Sequence, residues 1–461
     1  MAFKLTFYGG AESVTGSNFL VQGTKGKVLV DCGMEQGRDF CQECMYEPFA
    51  YDVKEVDALI ITHAHLDHIG RAPKLVREGF RGKVYMTPPT RDLMELILRD
   101  SVHILAEEAK KIKVSPLYDE KDLNLLLDLV ELVPYNKEWE AAPGISAILR
   151  NTGHILGSGS VRLTDEDGTT LALTGDIGNS PTPLLPDAVA VPDADAMVIE
   201  SVYGDRLHDT KDVRVDRLRD AINKAVAKDG VVLIPAFSME RTQLMLYELS
   251  NLMEAKEIPE IPVYLDSPLA IAVTEVYEKW AKEYFKNGVQ TELAKEGSLF
   301  RFPFLSMTRD REESESIRKT KGSKIIIAGA GMSHGGRIGK HEALYLPDPH
   351  TTLLVVGYQA PRSPGRRLVD GAKSVRLDGR DVTVNATVEM FGGWSAHADR
   401  DGLLEYAKKA LPRTKTFFVA LGEPASARFL AQRIHGFLGV KAIVPTQDET
   451  WEITKEGVKK V

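Results

Sequence analysis

Cysteine is scarce in this sequence, with three in 461 residues: Cys32, Cys41 and Cys44, all in one short segment. An odd, clustered set excludes a disulfide framework. Cys41-Gln-Glu-Cys44 has the spacing of half a zinc site or of a redox pair, with Cys32 as a third thiolate. No second pair exists to complete such a site, and reduced, unligated thiols are the plainer reading. Long apolar runs are missing too. Val231–Pro235 and Lys324–Ala328 are strand-length, far short of the ~20 residues that span a bilayer. The opening Met-Ala-Phe-Lys-Leu-Thr-Phe-Tyr-Gly-Gly lacks the apolar segment of a secretory signal. A soluble, cytoplasmic protein is expected. Positive charge is not in excess either: 58 Lys and Arg face 66 Asp and Glu, for a net charge of -8. Bulk electrostatics therefore gives no sign of nucleic-acid binding, although a basic groove on an acidic body remains compatible with it. The local candidates are Arg337–Lys340 and the series Arg362, Arg366, Arg367, Lys373 and Arg376. Composition alone reads these as solvated surface charges.

What is present is ordinary for a globular chain, 43% hydrophobic and 27% charged, so sizeable cores can form. The length makes two domains the reasonable expectation. Short apolar runs at Lys27–Asp31, Ala58–Thr62, Lys83–Met86, Leu171–Gly175 and Ala196–Glu200 each end in a polar or Gly-rich turn and read as strands. Leu93, Leu96, Ile97, Val102, Leu105 and Ala109 recur near helical spacing, which predicts a helix from about Arg91 to Lys113. After about Arg206 the texture changes to strand–helix alternation: Val231–Phe237 then Arg241–Met253, Val263–Asp266 then Leu269–Trp280, Ile325–Ala328, and Leu353–Tyr358. Such alternation builds a parallel, doubly wound sheet. Short strands return beyond about Ser374, with Lys415–Leu421, a helix from Ala425 to Phe437, and Lys441–Val444. A layered α/β fold interrupted by a second α/β domain fits this order, with divisions at 1–207, 208–373 and 374–461.

The densest chemical signal is Thr62-His63-Ala64-His65-Leu66-Asp67-His68, which follows the apolar run Ala58–Ile61. In extended chain, residues two apart face one side, so His63 and His65 can address one ion. Asp67 and His68 stand where a helix would begin and can reach a second ion. Imidazole and carboxylate together suit zinc and also accept manganese or iron. Four donors within six residues have no ready structural explanation. Further ligands must come from elsewhere in the chain. His154, in Thr152-Gly-His-Ile-Leu-Gly-Ser-Gly159, and Asp176, in Thr174-Gly-Asp-Ile-Gly178, both lie in Gly-rich turns after strands. Alone, each reads as a cap or a turn residue, but such turns are also where ligands converge without steric conflict.

These motifs resemble, in order and spacing, the ligand motifs of the metallo-β-lactamase superfamily. Asp31, in Val-Asp-Cys-Gly, matches that superfamily's first motif, an acid that orients the ligand loop. The resemblance implies an αββα sandwich in which His63, His65 and His154 hold one ion, Asp67 and His68 another, and Asp176 bridges them. Downstream, Glu200-Ser-Val-Tyr-Gly-Asp-Arg206, Gly329-Ala-Gly-Met-Ser-His-Gly-Gly336, Gly357-Tyr-Gln-Ala360, Gly365-Arg-Arg-Leu368 and Ser395-Ala-His397-Ala-Asp399 are similar to signatures of the β-CASP nucleases. That family includes ribonuclease J and the eukaryotic pre-mRNA 3′-end endonuclease. It carries a β-CASP domain inserted in the metallo-β-lactamase fold, as the change of texture also suggests.

The resemblance implies a metal-dependent ribonuclease acting on single-stranded RNA with one or two zinc ions, Mn²⁺ or Fe²⁺ being acceptable. Asp67 and His397 would be catalytic, with Glu200 orienting His397. Read without the resemblance, Glu200 is a strand-end carboxylate paired with Arg206. Arg337, Arg366, Arg367, Ser333 and His334 are candidate RNA contacts. No further RNA-binding module is expected at either end of the chain, and dimers are suggested by resemblance only.

Two positions depart from the family pattern. Phe418-Val-Ala-Leu-Gly-Glu423 stands where the family reads Val-His-Gly-Glu, so Leu421 replaces an imidazole that would ligate the second ion. His435 falls inside a predicted helix and is a poor substitute. Pro361-Arg-Ser-Pro364 replaces the usual Gly-Thr. A scaffold that binds RNA without cleaving it, or a hydrolase of small esters, are the competing readings.

Overall fold

The computed structural model describes residues 3–35, 43–357, 359–360, 362–391 and 393–461. Cys41 and Tyr358, and with Cys41 the Cys-x-x-Cys expectation, lie outside the described residues. The chain divides into two compact units, one formed by residues 1–207 with 397–461 and the other by residues 208–396.

The first unit is built on two sheets. One orders Val458–Lys460, Thr450–Ile453, Phe3–Gly9, Asn18–Gln22, Lys27–Val30, Ala58–Ile60, Lys83–Met86 and Val130–Leu132 side by side. The other orders Lys441–Ile443, Thr416–Val419, Ala196–Ile199, Thr170–Leu173, Gly159–Asp165, Ile145–Asn151 and Glu138–Ala142. The two faces meet in one apolar core, to which Phe7, Val28 and Ile60 contribute from the first sheet and Leu171, Val198 and Phe418 from the second. Alternation along each strand decides which residues enter it. Ala196 and Val198 face the sandwich, whereas Met197 and Ile199 turn to a second core. That core is completed by Leu403, Tyr406, Leu430 and Ile434 of the helices Arg400–Lys409 and Pro424–Leu438. Strands buried on both faces explain why these runs read as continuous apolar segments rather than alternating ones.

In the second unit Leu305–Met307, Val263–Leu265, Lys324–Ala328, Val231–Pro235, Thr352–Val355 and Thr387–Met390 form a sheet in that order, with every pairing parallel. Helices Arg241–Glu254, Pro268–Tyr284 and Gly336–Tyr345 connect its strands, as the alternation of the sequence predicts. The division expected at residue 373 is corrected to residue 396. The hairpin Ser374–Leu377 with Arg380–Thr383 sends Val375, Leu377 and Val382 into the core around Leu233, Ile326 and Leu353. Thr387–Met390 then extends the parallel sheet beside Thr352–Val355. The short strands between Ser374 and Met390 therefore belong to the inserted unit, and those from Thr416 onward to the first. Most predicted elements match the observed ones with shifts of a few residues at their ends, such as the helix Pro88–Ile112 and the strand Thr352–Val355. No described helix is long and apolar enough to cross a membrane.

Candidate metal centre

Four short turns at strand ends of the first unit bring the donors together. The strand Ala58–Ile60 runs out at Thr62, His63 is fully buried, and the single helical turn Leu66–Ile69 starts immediately after His65. Asp31 ends the neighbouring strand with φ +59° and ties this loop down. Its Oδ1 accepts from the Thr62 amide at 2.8 Å, and its Oδ2 accepts from Thr62 Oγ1 at 2.9 Å and Ser17 Oγ at 3.1 Å. The same Oδ2 lies 2.7 Å from His68 Nδ1, which fixes the imidazole with Nε2 turned away. The orienting role that the resemblance implies for Asp31 has this geometry. Ser17 and Thr62 are its partners, and the sequence carried no signal for Ser17.

His154 sits in a turn closed on itself by Ser158, whose Oγ accepts from the amides of His154 at 3.1 Å and Ile155 at 3.2 Å. Asp176 follows Gly175, whose φ is +54° and whose missing Cβ would lie 2.7 Å from Thr62 Oγ1. Only glycine lets these two loops approach so closely.

The result is a set of four donor atoms facing one another. His65 Nδ1 is 3.1 Å from His63 Nε2 and 3.1 Å from His154 Nε2. Asp176 Oδ2 is 3.3 Å from each of those two Nε2 atoms. Nitrogen and oxygen donors at about 2.0–2.1 Å in a tetrahedron around zinc stand roughly 3.3 Å apart, so the set has the size of a zinc shell. Neutral imidazole is the form that coordinates, and burial lowers the pKa of His63, His65 and His154, the last two strongly, helped by neighbouring imidazoles. Burial works against ionisation of Asp176, yet the surrounding His68, His397 and His63 hold its carboxyl well below the usual carboxylate range. The residues fit a divalent ion by distance and by donor chemistry.

The set expected for a second ion is looser. His68 Nε2 lies 3.4 Å from Asp176 Oδ1 and 3.9 Å from Asp67 Oδ2. Among the described residues, Asp67, His68 and Asp176 do not close into a common cluster as His63, His65, His154 and Asp176 do. Leu421 is 1% exposed and belongs to the apolar core with Phe7, Phe19 and Phe418. It lies against Gly10, where a Cβ would be 2.7 Å from Leu421 Cδ2. His435 is on the helix Pro424–Leu438 with Nδ1 3.2 Å from the Val440 carbonyl, and replaces no ligand.

A second cluster joins Asp176, Glu200 and His397. Glu200 is fully buried at the end of Ala196–Ile199. Its Oε1 accepts from the Ile177 amide at 2.7 Å and lies 3.2 Å from His397 Nδ1, while Oε2 accepts from the Val202 amide at 3.2 Å. Burial opposes charge on His397, but Glu200 and then Asp176 outweigh it and raise its pKa to about 9. Arg206 pairs with Asp205 instead, at 2.8 Å, so the reading of Glu200 as its partner is corrected.

The candidate RNA contacts lie in the inserted unit and are differently placed. Arg337 Nη1 donates to Asp266 Oδ1 at 2.7 Å, and its Nη2 donates to the Arg309 carbonyl at 2.9 Å. Ser333 is buried with its Oγ 2.6 Å from Glu342 Oε1. Arg366 pairs with Asp370 at 3.0 Å, and Arg367 donates to the Ser374 carbonyl at 3.2 Å. His334 is exposed. Arg337 and Ser333 thus hold the inserted unit together, where the sequence suggested ligand contacts.

Comparisons with known proteins identify the family. The metallo-beta-lactamase superfamily description matches residues 14–236, the Beta-Casp domain residues 242–368, and a Zn-dependent metallo-hydrolase RNA specificity domain residues 381–445. Ribonuclease TTHA0252 of Thermus thermophilus is 37% identical over 87% of this chain and 90% of that protein. An RNase J-like protein of Methanocaldococcus jannaschii is 32% identical over 96% of this chain and 98% of its own length. The transcription termination factor FttA of Methanosarcina mazei is 32% identical over 97% of this chain and 71% of that protein. The crystal structure of a protein of unknown function from Enterococcus faecalis V583 shares the fold, with a TM-score of 0.59 at 11% identity, covering 98% of this chain and 100% of that one. The chain is a metal-dependent hydrolase that belongs to the β-CASP ribonucleases of the metallo-β-lactamase superfamily.

Proposed function

We propose that this protein hydrolyses phosphodiester bonds of single-stranded RNA in processing or decay, in the cytoplasm, with zinc held by His63, His65, His154 and Asp176. The observation that carries the reading is the zinc-sized set of four ligand atoms, with His397 and the buried Glu200 clustered on the same Asp176. A bound divalent ion supplies Lewis acidity, bringing the pKa of water toward neutrality and offsetting charge on the phosphoryl oxygens. Asp67 orients the attacking water and takes its proton, and burial raises its carboxyl pKa in the direction a base needs. His397, protonated at neutral pH, donates a proton to the leaving oxygen as the phosphorus–oxygen bond breaks. Glu200 holds His397 Nδ1 and so positions the ring.

Leu421 favours a centre whose first ion is the better held. The three residues Asp67, His68 and Asp176 remain for a second, and three protein ligands plus water are a common zinc arrangement. The test is cleavage of labelled single-stranded RNA with added Zn²⁺ or Mn²⁺, beside Asp67→Ala. Metal-dependent cleavage that this substitution abolishes supports the reading. RNA binding without cleavage in every metal supports a scaffold, and cleavage of small esters that RNA does not inhibit supports an esterase. A homodimer is the assembly that the family resemblance suggests, and sedimentation of the purified chain checks it.

A further inference from the structure

A cavity of about 240 Å³ opens in the first unit, and the hydrolytic machinery makes no use of it. Tyr8, Phe49, Tyr51 and Arg71 line it. The Tyr51 ring stands between Tyr8, at 4.8 Å between centroids, and Phe49, at 5.4 Å. Tyr51 Oη donates to Asn18 Oδ1 at 3.2 Å, and the Arg71 guanidinium lies 5.3 Å from the centre of the Phe49 ring. Arg71 is anchored through Nε, which donates to the Gly33 carbonyl at 2.6 Å. The acidic residues Glu35, Glu47 and Asp448 also line it.

The walls lead directly to the metal loop. Asn18 follows Ser17, whose amide donates to the Asp67 carbonyl at 2.9 Å and whose hydroxyl donates to Asp31. Gly33, which holds Arg71, is so close to Asp67 that a Cβ would overlap the Asp67 carbonyl oxygen. A group seated in the cavity therefore lies one or two residues from side chains that serve the centre.

The size and the chemistry select the occupant. Sites for drug-sized ligands run from about 300 Å³ upward, so this one takes a fragment no larger than a single planar nucleobase. Aromatic rings with a neighbouring guanidinium are the platform on which unpaired bases stack. Three acidic residues against Arg71 leave the lining net negative, which disfavours a phosphate, so the base is the part that enters. Carboxylates accept from exocyclic amines, which adenine, guanine and cytosine carry and uracil lacks, while Arg71 donates to ring acceptors.

We propose that this cavity is a subsite for one unpaired, amino-bearing nucleobase of the RNA substrate. The proposal rests on the ribonuclease reading above, and the test separates the two. Nucleosides lack the phosphate that a metal centre would take, so saturation-transfer NMR with adenosine, guanosine, cytidine and uridine on the full chain reports on the cavity. The first three are expected to bind and uridine only weakly, with the signals lost in Tyr8→Leu and in Arg71→Met, both checked by thermal unfolding. On RNA, both variants are expected to raise KM about tenfold, roughly what stacking of one base supplies, with the loss in KM rather than kcat. Absence of nucleoside binding, equal binding of uridine, persistence in both variants, or preferential binding of N-acetylarginine amide overturns the proposal. Cleavage of RNA without nucleoside binding removes the subsite and leaves the ribonuclease. Nucleoside binding through these residues without cleavage in any metal does the reverse.

Discussion

Two buried aspartates show how differently this chain uses the same side chain. Asp266, at the end of Val263–Leu265 in the inserted unit, is met by four donors: Thr308 Oγ1 and Ser314 Oγ at 2.6 Å, Arg337 Nη1 and His341 Nε2 at 2.7 Å. Every contact is a donor to an acceptor, and the network closes without help. Asp176 in the first unit is met by imidazole nitrogens that also face one another, at 3.1 Å between His65 and each of His63 and His154. Neutral imidazoles cannot all donate into such a ring, because each carries one proton on two nitrogens. Such a set has the donor chemistry of a cation site. Buried polar groups satisfied by one another belong to the architecture, and buried acceptors converging on a point belong to function.

The sharpest way to break this comparison is to neutralise both aspartates. Asp176→Asn is expected to lower RNA cleavage by at least about a thousandfold, the several kcal/mol a metal ion supplies, with elemental analysis showing lost metal and thermal unfolding of the metal-free protein hardly changed. Asp266→Asn is expected to reverse the pattern. Breaking a buried ion pair costs about 3–5 kcal/mol, read by denaturant unfolding, while metal content stays that of the parent. If Asp266→Asn stripped the metal, the division between architecture and function would fail.

Next in size are the positioning contacts. Asp31→Asn is expected to weaken metal affinity about 10–100-fold, as loss of an outer partner does, measured by competition with a chelator. Glu200→Gln should reduce kcat while leaving metal content intact. It also removes the largest charge holding a proton on His397, so the alkaline limb of the rate profile should move to lower pH. Leu421→His is expected to raise bound metal toward two ions per chain, and unchanged stoichiometry would refute the account of that position.

The smallest effect lies in the inserted unit. Glu342 is buried, its Oε1 accepts from Ser333 and its Oε2 has no partner among the described residues. Burial raises its carboxyl pKa to about 8. Between its ordinary value and that pH the folded state holds a proton the unfolded state has lost, so stability falls as pH rises through this window. Glu342→Gln should flatten that dependence and give the higher melting temperature at pH 8. An unchanged slope between pH 5 and 8 would show that another group carries it.

The sequence was informative wherever chemistry is local. Donors within six residues, at 63, 65, 67 and 68, cannot be spread far apart by any fold, and apolar runs between Gly-rich turns marked most strands of both units. It was less informative where long-range packing decides. The hairpin at 374–383 reads from its own residues as a return to the first unit, and only its burial against Leu353 places it in the second. Arg337 and Ser333 resemble ligand contacts until Asp266 and Glu342 are found beside them.

The residue order alone thus determined the fold class, the donor types and the loss of an imidazole at 421, because pattern and identity are written along the chain. Tertiary structure decided which nitrogens face one another, that Glu200 holds His397 rather than Arg206, and that an aromatic cavity adjoins the metal loop. Those facts depend on distances between residues far apart along the chain, 197 positions for Glu200 and His397, which close only when the two sheets bury their common core.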